Sequence, residues 1–141
     1  MIASETKLPV VAFICTHNSC RSQMAEALAR RFAAGVFTAV SAGTELKDQI
    51  NPDAVRAIRR LYGEDMAEAG QRPKLIEALP PVDIVVTMGC GVECPWLPSR
   101  HREDWGLNDP TGGDDALFDE TAKTIERNVL DLKQRIENGS L

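Results

Sequence analysis

Apolar residues recur along this chain in two alternating patterns, one typical of buried strands and the other of amphipathic helices. Residues 10–14 form a continuous apolar run, which predicts a fully buried strand. Residues 22–32 carry Met24, Leu28 and Phe32 at four-residue spacing, which predicts a helix with one apolar face. The two patterns place a strand, a short polar loop and a helix in succession.

The same alternation extends through the rest of the chain. Further strands are predicted at residues 37–42, 83–88 and 101–107, and further helices at 51–63, near Pro73 to Leu79, and at 117–137. Strands that alternate with helices imply a parallel sheet covered on both faces, and therefore an α/β fold. A length of 141 residues, with no linker and no internal repeat, predicts a single domain over residues 1–141.

Composition narrows the class of function. The net charge of −5 and the lack of a long basic run argue against nucleic-acid binding, and no apolar stretch approaches the roughly 18 residues of a membrane span. The N-terminal residues lack the charged start and apolar centre of a signal peptide, so a cytoplasmic location is expected. The four cysteines are then expected to be reduced at rest, as candidates for catalysis, redox cycling or metal binding.

The most informative segment lies between the first strand and the first helix. Its sequence is Cys15-Thr16-His17-Asn18-Ser19-Cys20-Arg21-Ser22. Backbone N–H groups of such a loop can converge on one anion, and the following helix directs its dipole at the same point. These donors favour the reactive thiolate of Cys15, while the Arg21 guanidinium matches two oxygens of an oxyanion. The alternative, a buried cysteine and an unrelated surface arginine, leaves the strand–loop–helix context unexplained.

The other residues of this segment are expected to bind the substrate. Asn18 is predicted to hold a left-handed backbone conformation and to bond neighbouring N–H groups. Ser22 is predicted to cap the helix or to hydrogen-bond the thiolate, and His17 is expected to face solvent rather than to act as a base. The expected substrate-binding residues are Thr16, His17, Asn18, Ser19, Cys20, Arg21 and Ser22.

Two further loops are expected to meet Cys15 at one edge of the sheet, because ligands of parallel sheets bind beyond the carboxyl ends of the strands. The loop after the third strand carries Cys90 and Cys94, and glycines on both sides of Cys90 let it move. If the backbone brings these thiols together, they can form a disulfide and carry oxidation from Cys15 to the surface. The alternative is a pair of structural thiols.

A zinc site is a third interpretation of the cysteines. It would join Cys15, Cys20, Cys90 and Cys94 as four thiolate ligands. A closed zinc site typically uses tighter C-x₂-C turns, and this arrangement would leave Arg21 without a role. The sequence therefore favours a site that holds no metal.

The loop after the fourth strand supplies a candidate proton donor. The run Asn108-Asp109-Pro110 places a carboxyl group on a stiff turn. An oxyanion leaving group needs a proton, which an acid held beside the site can supply. The alternative is an ordinary Asp-Pro turn, and the position after the fourth strand favours the catalytic interpretation.

These residues resemble the active-site signature of arsenate reductases built on the low-molecular-weight tyrosine phosphatase fold. The similarity begins with residues 15–26 and covers the chain from about residue 8 to 137. Further matching motifs are Ser41-Ala42-Gly43-Thr44, Asn51-Pro52, Val85-Val86-Thr87-Met88, Cys94-Pro95 and Trp105-Gly106-Leu107-Asn108-Asp109-Pro110.

The resemblance implies a three-layer α/β sandwich, with a four-stranded parallel sheet flanked by helices. It implies Cys15 as nucleophile, Arg21 as anion clamp and Asp109 as general acid. In the thiol-relay branch of the family, a middle cysteine attacks the first and a last cysteine resolves the pair; these roles map to Cys90 and Cys94. The chain departs from the family pattern at His17, where glycine is usual, and in the shorter Cys90–Cys94 spacing. Related enzymes use an external thiol instead.

The interpretation that follows is reduction of arsenate to arsenite. The chain itself needs no cofactor, and a thioredoxin, a glutaredoxin or a low-molecular-weight thiol is expected to restore it. The main competitor is a protein-tyrosine phosphatase, which requires Cys15, Arg21 and Asp109 but no redox cysteines. Family phosphatases usually place an aromatic residue after Asp-Pro, whereas Thr111 follows here and favours a small substrate. A non-catalytic module that holds zinc or trivalent arsenic through its thiols is a further alternative.

Overall fold

The computed structural model describes residues 8–45, 47–89 and 97–141 and contains one four-stranded parallel sheet. The strands stand in the order β2-β1-β3-β4. They are β1 (Val10–Cys15), β2 (Thr38–Gly43), β3 (Ile84–Thr87) and β4 (His101–Asp104), and the helices are α1 (Arg21–Phe32), α2 (Pro52–Tyr62) and α3 (Asp115–Glu137). The predicted parallel sheet is confirmed. Cys90 and Cys94 lie outside the described residues.

Strand β1 is at the centre of the sheet and pairs with β2 on one side and with β3 on the other. Its residues from Val11 to Cys15 are buried, as the continuous apolar run predicts. Phe13 lies opposite Ser41 of β2 and Val86 of β3. Burial on both faces fixes the register of this strand and hence the position of Cys15 at its carboxyl end.

The two faces of the sheet are covered unequally. Val11 and Phe13 face a core that contains the buried residues of all three helices. On the other face, Ala12 and Ile14 contact the segment around a short 3-10 helix, Ile76–Ala78, and Leu97. Among the described residues, the layer on this second face is therefore thinner than the helical layer opposite.

The helix expected near Pro73 is the largest difference from the sequence prediction. Its apolar residues form only the three-residue 3-10 helix, and Leu79 after it is extended. Pro80 and Pro81 follow, and a residue before proline is sterically excluded from the helical region. The prolines therefore end the segment before a full helical turn can extend.

The other boundaries differ from prediction by a few residues. Helix α3 begins at Asp115 rather than at residue 117, because the Asp114 side chain caps it by accepting a hydrogen bond from the Leu117 N–H. Strand β4 ends at Asp104, earlier than predicted, and its four residues are His, Arg, Glu and Asp. Charged residues on an edge strand oppose pairing with another chain. None of the described helices is long and apolar enough to span a bilayer.

Candidate active site

A cleft of about 380 Å³ opens at the carboxyl edge of the sheet. Its wall includes Cys15 from the end of β1, Gly89 from the loop after β3 and Asp109 from the loop after β4. The predicted meeting of Cys15, the loop that begins at Gly89 and the loop that carries Asp109 is confirmed as far as the described residues extend. The remaining lining residues are Thr16, His17, Ser19, Cys20, Arg21, Lys47, Leu107, Asn108 and Thr111.

The anion loop, residues 15–21, is held against the end of β2. Cys15 pairs with Gly43, and a Cβ atom at Gly43 would lie 2.6 Å from the Thr16 carbonyl oxygen and 2.9 Å from the Asn18 nitrogen. Only glycine permits this close approach. Asn18 has a φ of 51°, which confirms its predicted left-handed conformation and turns the chain back toward the sheet edge.

Helix α1 begins where the anion loop ends, and no acidic side chain lies in its first turn to repel an anion. Cys20 is the N-cap residue, and its side chain makes no capping hydrogen bond. The positive end of the helix dipole therefore favours an anion at this edge. Ser22 lies inside the helix, so the prediction that it caps α1 is wrong.

Arg21 is held by the main chain of two other loops. Its guanidinium is mostly buried, and Nη1 donates to the carbonyl oxygen of Met88 at 2.9 Å and to that of Leu107 at 2.7 Å. Nη2 lies 3.9 Å from Asp109 Oδ2. The loops after β3 and β4 thus fix the orientation of the Arg21 guanidinium in the cleft.

Ser22 contacts the thiol of Cys15, as one of the two sequence interpretations requires. Its Oγ lies 2.9 Å from Cys15 Sγ and accepts a hydrogen bond from Asn18 Nδ2, also at 2.9 Å. The Lys74 backbone N–H donates to Asn18 Oδ1 at 2.8 Å, which fixes the orientation of the Asn18 amide. With its lone pair engaged by Asn18, the Ser22 hydroxyl can direct its proton to the sulfur and stabilise a thiolate.

Two buried glutamines reinforce this arrangement. Gln23 Nε2 donates to the backbone oxygen and the side-chain Oδ1 of Asn18, both at 3.0 Å, and to the Arg72 carbonyl at 2.9 Å. Gln71 Nε2 donates to Gln23 Oε1 at 2.8 Å. A fully satisfied buried network is rigid because each broken bond would leave a desolvated polar group. Sequence patterns gave no signal for these contacts, which link α1 to residues about 50 positions further along the chain.

A buried carboxylate lies one turn further along α1. Glu26 accepts a hydrogen bond from the Ser41 hydroxyl at 2.6 Å, and its side chain is only 1% exposed. Arg30 pairs with it at 2.6 Å, while Lys74 Nζ lies 3.7 Å away. This charge cluster ties α1 to β2 and to the segment that orients Asn18.

The second thiol of the loop differs from the first in its surroundings. Burial, followed by the negative charges of Asp109 and Cys15, raises the pKa of the Cys20 thiol to about 12. Cys20 therefore stays protonated at neutral pH, and it does not supply a second thiolate at the cleft.

Asp109 lies at the rim of the cleft, with its side chain about half exposed. Partial burial acts to raise its pKa, but hydrogen bonds from Thr111 and the positive charges of Arg21 and Lys47 outweigh that effect and lower it. The carboxyl group is thus ionised at neutral pH in the free protein.

Two charged or titratable side chains complete the wall. His17, which was expected to face solvent, is half-buried and lines the cleft. Lys47, from the loop after β2, was not identified from the sequence, although it is exposed beside Asp109 and adds a positive charge at the entrance. Within the described part of the chain, no three His, Cys, Asp or Glu side chains form a metal-binding group; the four-cysteine zinc alternative includes Cys90 and Cys94, which lie outside it.

A thiol beside the N-terminus of a helix, with a tethered guanidinium next to it, is the arrangement expected of a cysteine nucleophile that acts on tetrahedral oxyanions. The chain belongs to the low-molecular-weight phosphotyrosine protein phosphatase family, whose model matches residues 10–140. This confirms the family expected from the sequence resemblance.

Several of the similar proteins are named arsenate reductases. A glutaredoxin arsenate reductase of Synechocystis is 37% identical over 133 residues, which are 91% of this chain and 93% of that protein. An arsenate reductase of Bacillus subtilis is 39% identical over 107 residues, 72% of this chain and 73% of its own length.

Solved structures agree with the fold. An arsenate reductase in a phosphate-binding state superposes with a TM-score of 0.81 at 34% identity, over 92% of this chain and 99% of the other. A thioredoxin-dependent arsenate reductase of Corynebacterium glutamicum superposes with a TM-score of 0.74 at 31% identity, over 98% of this chain and 65% of that one.

Proposed function

We propose that this protein is an enzyme that reduces arsenate to arsenite through a cysteine thiolate. The observation that carries the proposal is the 2.9 Å contact between Cys15 Sγ and a hydroxyl oriented by Asn18, at the N-terminus of α1. This arrangement stabilises a nucleophile and binds an oxyanion at the same point. The names of the similar proteins support arsenate as that oxyanion.

In the first step, the Cys15 thiolate attacks arsenic. A sulfur–arsenic bond forms and an arsenic–oxygen bond breaks. Asp109 supplies a proton to the departing oxygen, which leaves as water. Arg21 and the loop N–H groups stabilise the negative charge that remains on the arsenate oxygens. Arsenic stays pentavalent in this adduct.

In the second step, another thiolate attacks Cys15 Sγ. A disulfide forms, the sulfur–arsenic bond breaks, and its electron pair stays on arsenic, which becomes trivalent and leaves as arsenite after protonation. Cys90 is the proposed second thiol within the chain, and Cys94 the thiol that then resolves the Cys15–Cys90 disulfide. An external thiol at the same step is the alternative.

A dithiol or thiol reductant must return the enzyme to its starting state, because each turnover oxidises two thiols. A thioredoxin, a glutaredoxin and a low-molecular-weight thiol are the proposed candidates. The Synechocystis and Corynebacterium relatives carry glutaredoxin and thioredoxin in their names, respectively.

Phosphotyrosine hydrolysis is the second candidate, since its first step needs the same nucleophile, clamp and acid. The lining residues that the structure describes include no Phe, Tyr or Trp to stack on a phenol ring. Thr111 stands two residues after Asp109 and closes that part of the wall with a small polar side chain. A small inorganic oxyanion therefore suits the cleft better than an aryl phosphate.

The test is arsenite formation by the purified protein, with thioredoxin, glutaredoxin and mycothiol systems in parallel, beside hydrolysis of an aryl phosphate. Arsenite formation well above the rate of aryl phosphate hydrolysis is expected with at least one reductant. Cys15→Ser should abolish both activities and retain phosphate binding, because the loop N–H groups and Arg21 remain. Turnover above a few per cent of the parent rate in this variant would remove Cys15 from the nucleophile role.

A further inference from the structure

Thr111 makes two hydrogen bonds to one oxygen of the candidate general acid. Its backbone N–H donates to Asp109 Oδ1 at 3.0 Å, and its hydroxyl donates to the same oxygen at 2.7 Å. The other oxygen, Oδ2, is the one that lies 3.9 Å from Arg21 Nη2. The two carboxylate oxygens thus have separate surroundings.

We propose that Thr111 is a positioning residue for proton transfer, because it holds Asp109 Oδ1 and leaves Oδ2 directed at the departing oxygen. This inference rests on the proposed role of Asp109 as general acid. A carboxyl group on an exposed turn is otherwise free to rotate about its side-chain bonds, and proton transfer requires one oxygen within hydrogen-bond reach of the leaving group.

The path of the proton follows from the different roles of the two Asp109 oxygens. Asp109 carries its proton on Oδ2 when a negatively charged oxyanion occupies the cleft, since a neighbouring anion raises the pKa of a carboxyl group. Transfer of that proton to the departing oxygen leaves a carboxylate, and the two Thr111 donors stabilise it. Thr111 exchanges no proton itself.

Thr111 also lies beside the anion loop. It lines the cleft together with Cys20, whose thiol is buried at the start of α1. The turn after Asp109 therefore lies next to the residues proposed to bind the substrate. The other charged or titratable groups at the cleft that face this carboxyl group are Arg21, Lys47, His17 and Cys15.

The experiment compares three variants by steady-state arsenate reduction across pH. Thr111→Val removes the hydroxyl but keeps the backbone N–H and the side-chain shape. Thr111→Ser restores a hydroxyl, and Thr124→Val is the matched control, because the Thr124 hydroxyl bonds only residues of α3 in the described structure.

For Thr111→Val, kcat is expected to fall about tenfold while the KM for arsenate stays within about twofold, because only the placement of the acid is lost. The alkaline limb of kcat should also move to higher pH, since a donor to the ionised carboxyl group is gone. Thr111→Ser should recover both properties, and Thr124→Val should match the parent. The proposal would be overturned if Thr111→Val left both kcat and the alkaline limb of its pH profile unchanged. It would also be overturned if Thr111→Ser were as impaired as Thr111→Val.

A double variant separates this proposal from the proposed function. If Thr111 acts through Asp109, adding Thr111→Val to Asp109→Asn causes no further loss of activity. If the two residues act independently, their fold-losses of activity multiply. If the parent protein forms no arsenite, the proposed function fails, and the same variants are compared on phenyl phosphate, whose poor leaving group also needs an acid. A parent without either activity would overturn both proposals.

Discussion

Arg21 Nη2 lies 3.9 Å from Asp109 Oδ2, so the candidate anion clamp and the candidate acid meet at the rim of one cleft. The contact joins the first turn of α1 to a loop 88 positions further along the chain. An oxyanion bound at the anion loop would thus have a fixed cation and a carboxyl group on the same side.

Replacement of Arg21 by lysine should be nearly as damaging as its removal. An ammonium group keeps the charge but cannot form two parallel bonds to an oxyanion while it also bonds the Met88 and Leu107 carbonyls. We expect kcat/KM for arsenate to fall by about two orders of magnitude, the size seen when one preorganised donor is lost. Arg127→Lys on α3 is the control. Near-normal kinetics in Arg21→Lys would place the clamp elsewhere.

Asp109→Asn keeps the turn and removes the proton donor. A rate loss of about 10²-fold is expected, the usual size for general acid catalysis. In the free protein the pKa of Asp109 is lowered, so Asp109 takes up its proton when the substrate binds, because the bound anion raises that pKa. The rate of the parent should therefore fall as pH rises through the pKa of Asp109 in the substrate complex. The rate of Asp109→Asn should not show this fall. A pH–rate profile identical to the parent's would argue against the role.

Ser22→Ala removes the hydroxyl that contacts Cys15 Sγ without disturbing the helix, since Ser22 does not cap it. Hydrogen bonds to charged groups contribute about 1.5–3 kcal/mol, so a loss of roughly 10- to 100-fold in the first chemical step is expected. Alkylation of Cys15 by iodoacetamide should also require a higher pH, because the thiolate is less stabilised. Ser140→Ala near the C-terminal end is the control. Unchanged alkylation would show that the hydroxyl does not act on the thiolate.

The cysteine relay makes a sharper prediction. Cys90→Ser should block multiple turnovers but leave the first attack by Cys15 intact. Cys94→Ser should complete one turnover and then stall as a Cys15–Cys90 disulfide. Peptide mass spectrometry after a single exposure to arsenate identifies the linked cysteines. If both variants cycle normally with an external thiol, the donor supplies the second sulfur; a disulfide between Cys15 and Cys20 alone would indicate an oxidised phosphatase-type site.

Acid stability should depend on Glu103. The Arg135 guanidinium forms a bidentate pair with it, His101 and Trp105 also bond it, and its pKa falls to about 2 because these bonds outweigh its partial burial. A lowered carboxyl pKa stabilises the fold above the unfolded value near 4.5, and the effect is lost as pH falls toward 2.

We therefore expect Glu103→Gln to lower the free energy of unfolding by about 1–2 kcal/mol at pH 7, and the difference from the parent to vanish near pH 2. Urea denaturation at several pH values measures it. Glu120→Gln, at an exposed position on α3, is the control. If the difference in unfolding free energy between parent and variant did not change with pH, Glu103 would stabilise the fold through its shape and not through its charge.

The sequence was sufficient for the parts of the site that depend on strand ends. Cys15 ends a strand and Gly89 and Asp109 each follow one, and parallel topology brings such positions to one edge of the sheet. The catalytic roles of Cys15, Arg21, Asp109, Cys90 and Cys94 remain predictions until the variants are measured.

The network behind the site was not predictable in the same way. Gln23, Gln71 and Lys74 orient Asn18 through polar contacts between distant segments, and such contacts leave no periodic pattern in a sequence. Lys47 was missed because nothing in the sequence around it indicates that it lies at the cleft. Thr111 was expected only to favour a small substrate, and its two hydrogen bonds to Asp109 were not predicted. The prediction of a helix near Pro73 was wrong because Pro80 and Pro81 disfavour a helical conformation just before them, and the short run of apolar residues does not offset this effect.

The tethering of Arg21 by the Met88 and Leu107 carbonyl oxygens has an evolutionary consequence. Every amino acid supplies a carbonyl oxygen, so the two bonds to the guanidinium do not depend on the chemistry of the side chains at these positions. Burial of the Met88 and Leu107 side chains still restricts both positions to apolar residues, whereas exposed neighbours such as Asn108 can change without altering the position of the guanidinium.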